Sequence, residues 1–389
     1  MKTTWLLHRA VLAGAMWHLA ASTSFSKDEA AATTGEEPGS ADLAQVQNLK
    51  LDSLRSVTAV AASRDGRFLY ASAFNSDVVA VFKRDAATGQ IEIVERNELP
   101  EFRAAVSVRL SPDDQFAAVA AFRANAITLF KRSAETGGLT WLDVAEEGEK
   151  GNAGLSFVID STISADSRFL YTASANGVGA FAIENGKLQF LQVENAGGKL
   201  EGLRAVVISP DGATVYAAAT GSDSVGVLHR DKDSGKLTVV QILEDEEDGI
   251  GALGGAFRIA CSKDGRHVYV SSGRFEGDQA ISVFATEPDG KLKLIEEHVN
   301  GVGKFSGFEG GNSIVLSVDD TLVYAVGSLS DRLVRFRRDA ATGKLTFLGS
   351  QAVGEFVTPG AAGLCFSPDG KFLYIADEMA SSIVVLKQP

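Results

Sequence analysis

The chain has 389 residues, of which 45% are hydrophobic and 22% charged, a composition that suits a globular protein with a large core. Its formal net charge of −13 argues against a nucleic-acid or anionic-membrane partner, because each of these needs a basic face. Two cysteines, Cys261 and Cys365, are too few for a disulfide framework or a zinc site. Neither a metal nor a cofactor is predicted.

The N-terminus has the three-part pattern of a secretory signal peptide. Residues 1–9 carry Lys2 and Arg9, residues 10–21 are apolar apart from one histidine, and small residues follow. Residues 1–22 are therefore assigned to a signal peptide, and the protein is expected to be periplasmic or secreted. An uncleaved membrane anchor and a misassigned start codon are the alternatives. Twelve apolar residues fall short of the about 20 that a spanning helix needs, so no membrane span is predicted.

Residues 23–42 are mostly acidic or small and contain one aromatic residue, so they are predicted to form a disordered linker. Beyond residue 50 the chain repeats a turn of the form Ser-x-Asp-Gly. Clear copies begin at Ser63, Ser209, Ser262 and Ser367, and weaker copies begin at Ser111, Ser164 and Ser317. All six tyrosines of the chain lie seven residues after a marker serine, and only the second unit lacks one. Residues 43–389 therefore contain seven units in a common register.

Each unit reads as four short strands, which are 57–62, 67–73, 77–83 and 90–95 in the first unit. Four strands in a period of about 50 residues are typical of a propeller blade. The chain ends after the third strand of the seventh unit, whereas residues 43–50 resemble a fourth strand. The predicted fold is an all-β, seven-bladed propeller of four-stranded antiparallel blades, closed by an N-terminal strand in the last blade.

The repeats resemble the lactonase-type seven-bladed β-propeller family, and more loosely the bacterial YVTN repeat proteins. The resemblance lies in the Ser-Pro-Asp-Gly-x-x-x-Tyr copies at 209–216 and 367–374, and in stretches such as 76–89. The family includes 6-phosphogluconolactonases and fungal carboxymuconate-lactonizing enzymes, so the resemblance implies this fold and suggests lactone chemistry. It says little about activity, because one fold carries many functions.

In a propeller of this kind the repeated turns lie on the bottom face, where their aspartates cap turns. The loops that precede the innermost strands lie on the top face, and these carry charged residues. An arginine cluster there could hold the carboxylate or phosphate of a small anion. The predicted binding residues are Arg55, Arg103, Arg204, Arg258 and Asn312.

Glu201 and Glu309 lie in the same loops and are predicted to be catalytic, as general bases. The alternative is that the charged residues form inter-blade ion pairs around a solvated channel, as Arg109 and Asp160 within innermost strands would allow. Fungal members of the family are thought to use a histidine. His229, His267 and His298 occupy strand positions away from the channel mouth, so this mechanism is not expected here.

Two functions remain open at the level of sequence. The first is an exported lactonase-like hydrolase that opens a small acidic lactone. The second is a non-catalytic binding or scaffold propeller, with a protein or glycan partner on the top face. These residues do not decide whether the chain is an enzyme. The protein is expected to be a monomer.

Overall fold

The computed structural model describes residues 42–98, 102–275, 277–353 and 360–389. The predicted signal peptide and nearly all of the predicted linker lie outside these residues. The described strands form seven four-stranded sheets. Two single-turn 3-10 helices, Glu149–Gly151 and Ala196–Gly198, lie in loops that lead into innermost strands. Within the described ranges, no helix is long and apolar enough to cross a membrane.

Each sheet is a blade whose strands are called a to d, from the channel outward. The a strands are β2 (Val57–Ala62), β6 (Ala105–Leu110), β10 (Asp160–Ile163), β14 (Leu203–Ile208), β18 (Ala256–Cys261), β22 (Gly311–Leu316) and β26 (Ala361–Phe366). The b strands are β3 (Phe68–Ala73), β7 (Phe116–Ala121), β11 (Phe169–Ser174), β15 (Thr214–Ala219), β19 (His267–Ser272), β23 (Leu322–Gly327) and β27 (Phe372–Asp377).

The c strands are β4 (Val78–Arg84), β8 (Ala126–Arg132), β12 (Gly177–Glu184), β16 (Ser224–Arg230), β20 (Ala280–Thr286), β24 (Arg332–Arg338) and β28 (Ser382–Lys387). The d strands are β5 (Ile91–Glu98), β9 (Leu139–Glu146), β13 (Lys187–Glu194), β17 (Leu237–Glu244), β21 (Leu292–Val299), β25 (Leu345–Ala352) and β1 (Ala44–Lys50). Neighbouring strands of every blade are antiparallel, and each a strand contacts the a strands of both adjacent blades. The predicted seven-bladed propeller is thereby confirmed.

The N-terminal strand closes the ring as predicted. β1 pairs antiparallel with β28, from Ala44 opposite Lys387 to Lys50 opposite Ser382. The segment before β1 also contacts blade 6, where the backbone N–H of Leu43 donates to Gln351 Oε1 at 2.8 Å. The last blade therefore has its fourth strand, and β28 is not an exposed edge.

The marker tyrosines join adjacent blades. The hydroxyl of Tyr70 on strand b of blade 1 donates to the carbonyl oxygen of Gly137 in blade 2 at 2.6 Å, and Arg132 Nε donates to the same hydroxyl at 2.8 Å. Arg132 also pairs with Asp65 of the Ser-x-Asp-Gly turn at 3.1 Å. The same arginine–tyrosine contact occurs between Arg84 and Tyr374, between Arg230 and Tyr171, and between Arg338 and Tyr269. The turn, tyrosine and glycine markers therefore belong to one buried junction.

The glycine of that junction is required by close packing. Gly137 has a φ of +75°, and a Cβ placed on it would lie 2.4 Å from the ring of Phe68, the first residue of strand b in blade 1. The equivalent Gly343 meets His267 in place of a phenylalanine. His267 is thus a packing residue, as its position in the repeat predicts.

Candidate functional site

The top face carries the d–a and b–c loops, and the a strands start there. In six blades the pairing of strand a with strand b shifts register around its second residue. Such a bulge re-aims the side chain it contains. One residue from each blade lines a cavity at this level of the channel, namely Thr58, Val106, Ile159, Arg204, Phe257, Asn312 and Ala362. The channel mouth is therefore built from equivalent positions of seven blades.

Three arginines line this cavity. Arg204 and Arg258 come from β14 and β18, and Arg274 comes from the b–c loop of blade 5. Arg204 Nε is buried and has no hydrogen-bond partner among the described residues. Burial, together with the nearby charges of Arg274 and Arg258, lowers the pKa of Arg204 to about 10. The guanidinium of Arg204 is therefore desolvated beside other cations, which favours an anion at this position.

Aromatic rings hold the faces of these guanidinium groups. The carbon Cζ of Arg204 lies 5.6 Å from the centroid of the Phe275 ring, and Arg274 Cζ lies 4.9 Å from the same centroid. Arg258 and Arg274 both stack on Phe257, with Cζ 5.1 Å from its centroid in each case. Stacking uses the faces of a guanidinium and leaves its N–H edges for a carboxylate or phosphate.

Among the described residues, one carboxylate lines the cavity together with the arginines. Glu378 Oε2, on the b–c loop of blade 7, lies 2.7 Å from Arg274 Nη2, and both side chains are largely buried. A second pair lies inside the channel, where Asp160 accepts from Arg109 Nε at 2.8 Å and from Nη2 at 3.0 Å. Asp160 raises the pKa of Arg109, in spite of the opposing effect of burial.

Asp160 Oδ2 also lies 3.8 Å from Arg258 Nη1. Burial lowers the pKa of Arg258 to about 10, with Arg109 and Arg274 contributing against the attraction of Asp160. Among the described residues, four arginines thus face two carboxylates at the mouth and in the channel next to it. The described part of the site keeps an excess of positive charge, although the whole chain is acidic.

The structure brings together only some of the residues predicted from sequence. Arg204, Arg258 and Asn312 line one cavity, and Asn312 Nδ2 donates to the carbonyl oxygen of Ala361 at 3.0 Å. Arg55 and Arg103 are exposed in top-face loops and do not line it. Arg55 Nη2 instead donates to the carbonyl oxygen of Asn75 in its own blade, at 3.2 Å.

The two glutamates predicted to be catalytic lie apart from the arginine cavity. Glu201 and Glu309 are both exposed, and neither lines it. Glu309 Oε1 accepts from Asn300 Nδ2 at 3.1 Å, while the backbone N–H of Glu201 donates to Ser222 Oγ at 3.2 Å. Their catalytic role stays a prediction, to which this geometry adds no support.

Sequence reasoning missed Arg274 and Glu378. Arg274 lies in the b–c loop of blade 5, which spans residues 273–279, whereas the same loop of blade 1 spans residues 74–77. The only sign of this loop in the sequence was its extra length, which displaces Phe284 from its expected spacing after Ser262. Such an insertion marks a divergent loop, but it does not show where its side chains point.

The remaining reactive groups lie elsewhere. His267 is buried, where Arg338 Nη2 lies 2.9 Å from its Nδ1, and burial lowers its pKa. His298 Nε2 lies 3.0 Å from Glu296 Oε1 on a d strand. Cys261 and Cys365 are free thiols whose pKa burial raises to about 12. Within the described ranges, no group of three or more histidine, cysteine or acidic side chains is arranged to hold a metal ion.

Solved structures with this fold have diverse functions. A protein from Lactobacillus plantarum is 23% identical, with 78% of this chain and 86% of that chain covered and a TM-score of 0.62. The periplasmic gluconolactonase PpgL of Pseudomonas aeruginosa is 21% identical, covering 79% and 87%, with a TM-score of 0.64. Hydrazine synthase of Kuenenia stuttgartiensis is 16% identical, covering 87% and 97%, with a TM-score of 0.65. These similarities show the fold alone.

No curated protein matches the chain at the level of sequence. The family model described as "Lactonase, 7-bladed beta-propeller" matches residues 31–153, 149–250 and 240–358. These three segments together span most of the chain. The chain therefore belongs to the lactonase family of seven-bladed β-propellers.

Proposed function

We propose that the protein is an exported lactonase-like hydrolase that binds a small acidic lactone at the channel mouth. The observation that carries the proposal is the buried Nε of Arg204, which has no hydrogen-bond partner among the described residues. Arg258 and Arg274 lie beside it and add positive charge. A bound carboxylate would satisfy this donor and offset the charge, because guanidinium groups bind carboxylates through paired N–H groups.

Hydrolysis needs a base, a water molecule and an oxyanion site. The base takes a proton as the water oxygen bonds to the lactone carbonyl carbon; the ring C–O bond then breaks, and the leaving oxygen takes up the proton. The arginine edges would stabilise the oxyanion as it forms. Glu378 is the carboxylate that lines the cavity in the described part of the chain, so it joins Glu201 and Glu309 as a candidate base.

Export remains part of the proposal and rests on the N-terminal sequence. The charged start, the apolar segment and the small residues of 1–22 support it. The periplasmic gluconolactonase of P. aeruginosa has the same fold, which is consistent with a lactone substrate outside the cytoplasm. Mass spectrometry of the mature protein tests this, because an intact chain beginning at Met1 would contradict it.

A specific observation favours the second candidate function, a non-catalytic binding propeller. Both carboxylates near the arginines already form ion pairs, Asp160 with Arg109 and Glu378 with Arg274. A carboxylate held in an ion pair is a weaker base than a free one. In this case the same cavity would bind an anion, or an acidic group of a protein or glycan partner, without turnover.

The decisive experiment combines calorimetry with lactone hydrolysis in a pH-stat, using carboxylate-bearing lactones and their hydroxy acids. Arg204→Ala should weaken binding by about 2–5 kcal/mol, the usual cost of removing one partner of a buried charge pair. Arg123→Ala is the matched control, since Arg123 is exposed in the b–c loop of blade 2 on the same face. Equal binding by Arg204→Ala and the parent would contradict the site.

Turnover separates the two functions. Binding with no hydrolysis of any lactone would favour the binding propeller. If hydrolysis occurs, Glu378→Gln, Glu201→Gln and Glu309→Gln show which carboxylate carries it, because loss of the general base typically costs 10²–10⁴-fold in rate.

A further inference from the structure

The top face exposes large apolar side chains around the cationic mouth. Phe157, Phe275, Leu329 and Met379 are 51%, 42%, 54% and 56% exposed. Phe157 lies in the d–a loop of blade 3, and the other three lie in the b–c loops of blades 5, 6 and 7. These four residues are called the apolar collar. Exposed apolar residues gathered on one face mark a binding surface, whereas single ones are ordinary.

The collar is held in place by the loops beneath it. A Cβ added to Gly310 would lie 2.6 Å from Leu329 Cγ, and one added to Gly360 would lie 2.7 Å from Met379 Cβ. Phe275 packs edge-on against Phe257, with ring centroids 5.7 Å apart. These close contacts fix the loops that carry the collar, although its side chains face solvent.

Phe157 adds an independent observation, because its backbone is strained. Its φ is +49°, and the residues at the same place in other blades are small, namely Ser56, Ala104, Gly202, Gly255 and Gly310. All of these residues have a positive φ, so the repeat imposes this conformation, and a bulky side chain is unusual in it. The backbone N–H of Phe157 donates to Asn125 Oδ1 at 2.7 Å, which holds this conformation.

Two members of the collar, Phe275 and Met379, adjoin the arginine site. The Phe275 ring contacts Arg204 and Arg274, and Met379 directly follows Glu378, which pairs with Arg274. We propose that the ligand of the channel mouth is an amphiphilic anion, whose carboxylate meets Arg204 and Arg258 while an alkyl or aryl chain lies on the collar. If the ligand is a lactone substrate, the proposal rests on the proposed function. If the ligand is a hydroxy acid that is only bound, the proposal does not depend on hydrolysis.

A small polar ligand would leave the collar in water. An apolar chain of several carbons would cover part of it, and each methylene removed from water adds a similar increment of binding. The acidic surface of the whole chain disfavours an anionic lipid bilayer as the occupant, because that would require a basic face. The observations therefore favour a single amphiphilic molecule over a membrane.

Calorimetry with straight-chain 2-hydroxy carboxylic acids of four, six, eight and ten carbons tests the proposal, below the concentration at which they form micelles. The dissociation constant should fall about two- to fourfold for each added methylene, until the chain passes the collar. The double variant Leu329→Ser/Met379→Ser should lose most of this dependence on chain length while it still binds the four-carbon acid. Val94→Ser is the control, since Val94 is equally exposed but lies on an outer strand.

A dissociation constant independent of chain length in the parent protein would overturn the proposal, and so would an undiminished dependence in the double variant. Either result leaves the proposed lactone hydrolysis standing if short lactones are turned over. Conversely, a steep dependence on chain length without any turnover would support the amphiphilic ligand and contradict the hydrolase.

Discussion

Arg274 and Glu378 form an ion pair of 2.7 Å that joins the b–c loops of blades 5 and 7 across the mouth of the channel. The pair skips blade 6, whose Asn312 lines the same cavity. Glu378 thereby places an internal carboxylate on one of the guanidinium groups that line the cavity. Binding of an anion at this mouth should therefore involve competition with Glu378.

Glu378→Gln is expected to tighten the binding of a carboxylate ligand by about 1–2 kcal/mol, because it removes a nearby negative charge at a partly buried site. If Glu378 is also the base, turnover should fall while binding improves. Calorimetry and initial rates on the same variant measure the two effects separately. Glu92→Gln, which changes an exposed carboxylate on an outer strand, should leave both binding and turnover unchanged.

Weaker binding by Glu378→Gln would show that Glu378 contacts the ligand favourably and does not compete with it. Arg274→Ala provides a second check, because its expected effect on ligand binding is opposite to that of Glu378→Gln. It should weaken binding, because it removes a guanidinium from the cavity and leaves the Glu378 carboxylate without this partner.

The inter-blade junctions predict that replacing two adjacent residues, Arg132 and Lys131, has very different effects on the free energy of unfolding. Arg132 is buried and bonded to Tyr70 and Asp65 of the neighbouring blade, whereas Lys131 is exposed. Arg132→Met should lower the free energy of unfolding by about 2–3 kcal/mol, since it leaves Asp65 without this cation. Lys131→Met should change it by less than about 0.5 kcal/mol. Urea unfolding of both variants measures this, and similar losses would rule out the junction as the source of stability.

The fold could be predicted because its markers are tied to local chemistry and recur. Ser63 Oγ donates to Asp65 Oδ1 at 2.6 Å, so the Ser-x-Asp-Gly turn depends only on neighbouring residues and can be recognised in a single repeat of the sequence. The tyrosine register showed how many copies there are. The partner of each tyrosine was not foreseen, because Arg132 lies in the next blade, 62 residues from Tyr70.

The site could be predicted only where it follows the repeat. Arg204 and Asn312 occupy the same bulged position of strand a in different blades, so the register places both at the channel. Arg274 lies in an insertion with no counterpart in the other blades. Its contact with Glu378 joins residues 104 positions apart, which no local pattern specifies.

Two carboxyl groups at the junction of blades 6 and 7, one buried and one half-buried, predict a dependence of stability on pH. Burial raises the pKa of Asp377 to about 6, and the charges of Asp331 and Glu378 add to the shift. Burial also raises the pKa of Asp331 to about 6. An unfolded aspartate has a pKa of about 3.9, so the folded state binds more protons between pH 4 and 6. Stability from these groups is therefore present at low pH and is lost as the pH rises to about 6.

Asp377→Asn should accordingly be more stable than the parent by about 2–3 kcal/mol at pH 7.5 and by only about 1 kcal/mol at pH 4.5. Asp319→Asn is the control of opposite sign. Burial tends to raise the pKa of Asp319, but hydrogen bonds from Ser317 and Thr321 lower it below the ordinary value. The contribution of Asp319 to stability is therefore present at neutral pH and is lost in acid. Thermal melting at both pH values measures the differences. A difference for Asp377→Asn that does not change with pH would contradict the assignment.

Ring closure by β1 makes the last prediction. A chain that begins at Leu51 lacks β1 and the contact of Leu43 with Gln351, and it exposes the edge of β28. Comparison with a chain that begins at Asp42 isolates this loss, which we expect to be roughly 4 kcal/mol from the apolar side chains of the segment. The truncated chain should also aggregate more readily, because an unpaired edge strand can pair with another chain. A synthetic peptide of residues 42–50 should raise its melting temperature in a concentration-dependent way, whereas a scrambled peptide should not. Equal melting of the two chains, with no effect of the peptide, would show that the ring does not depend on β1.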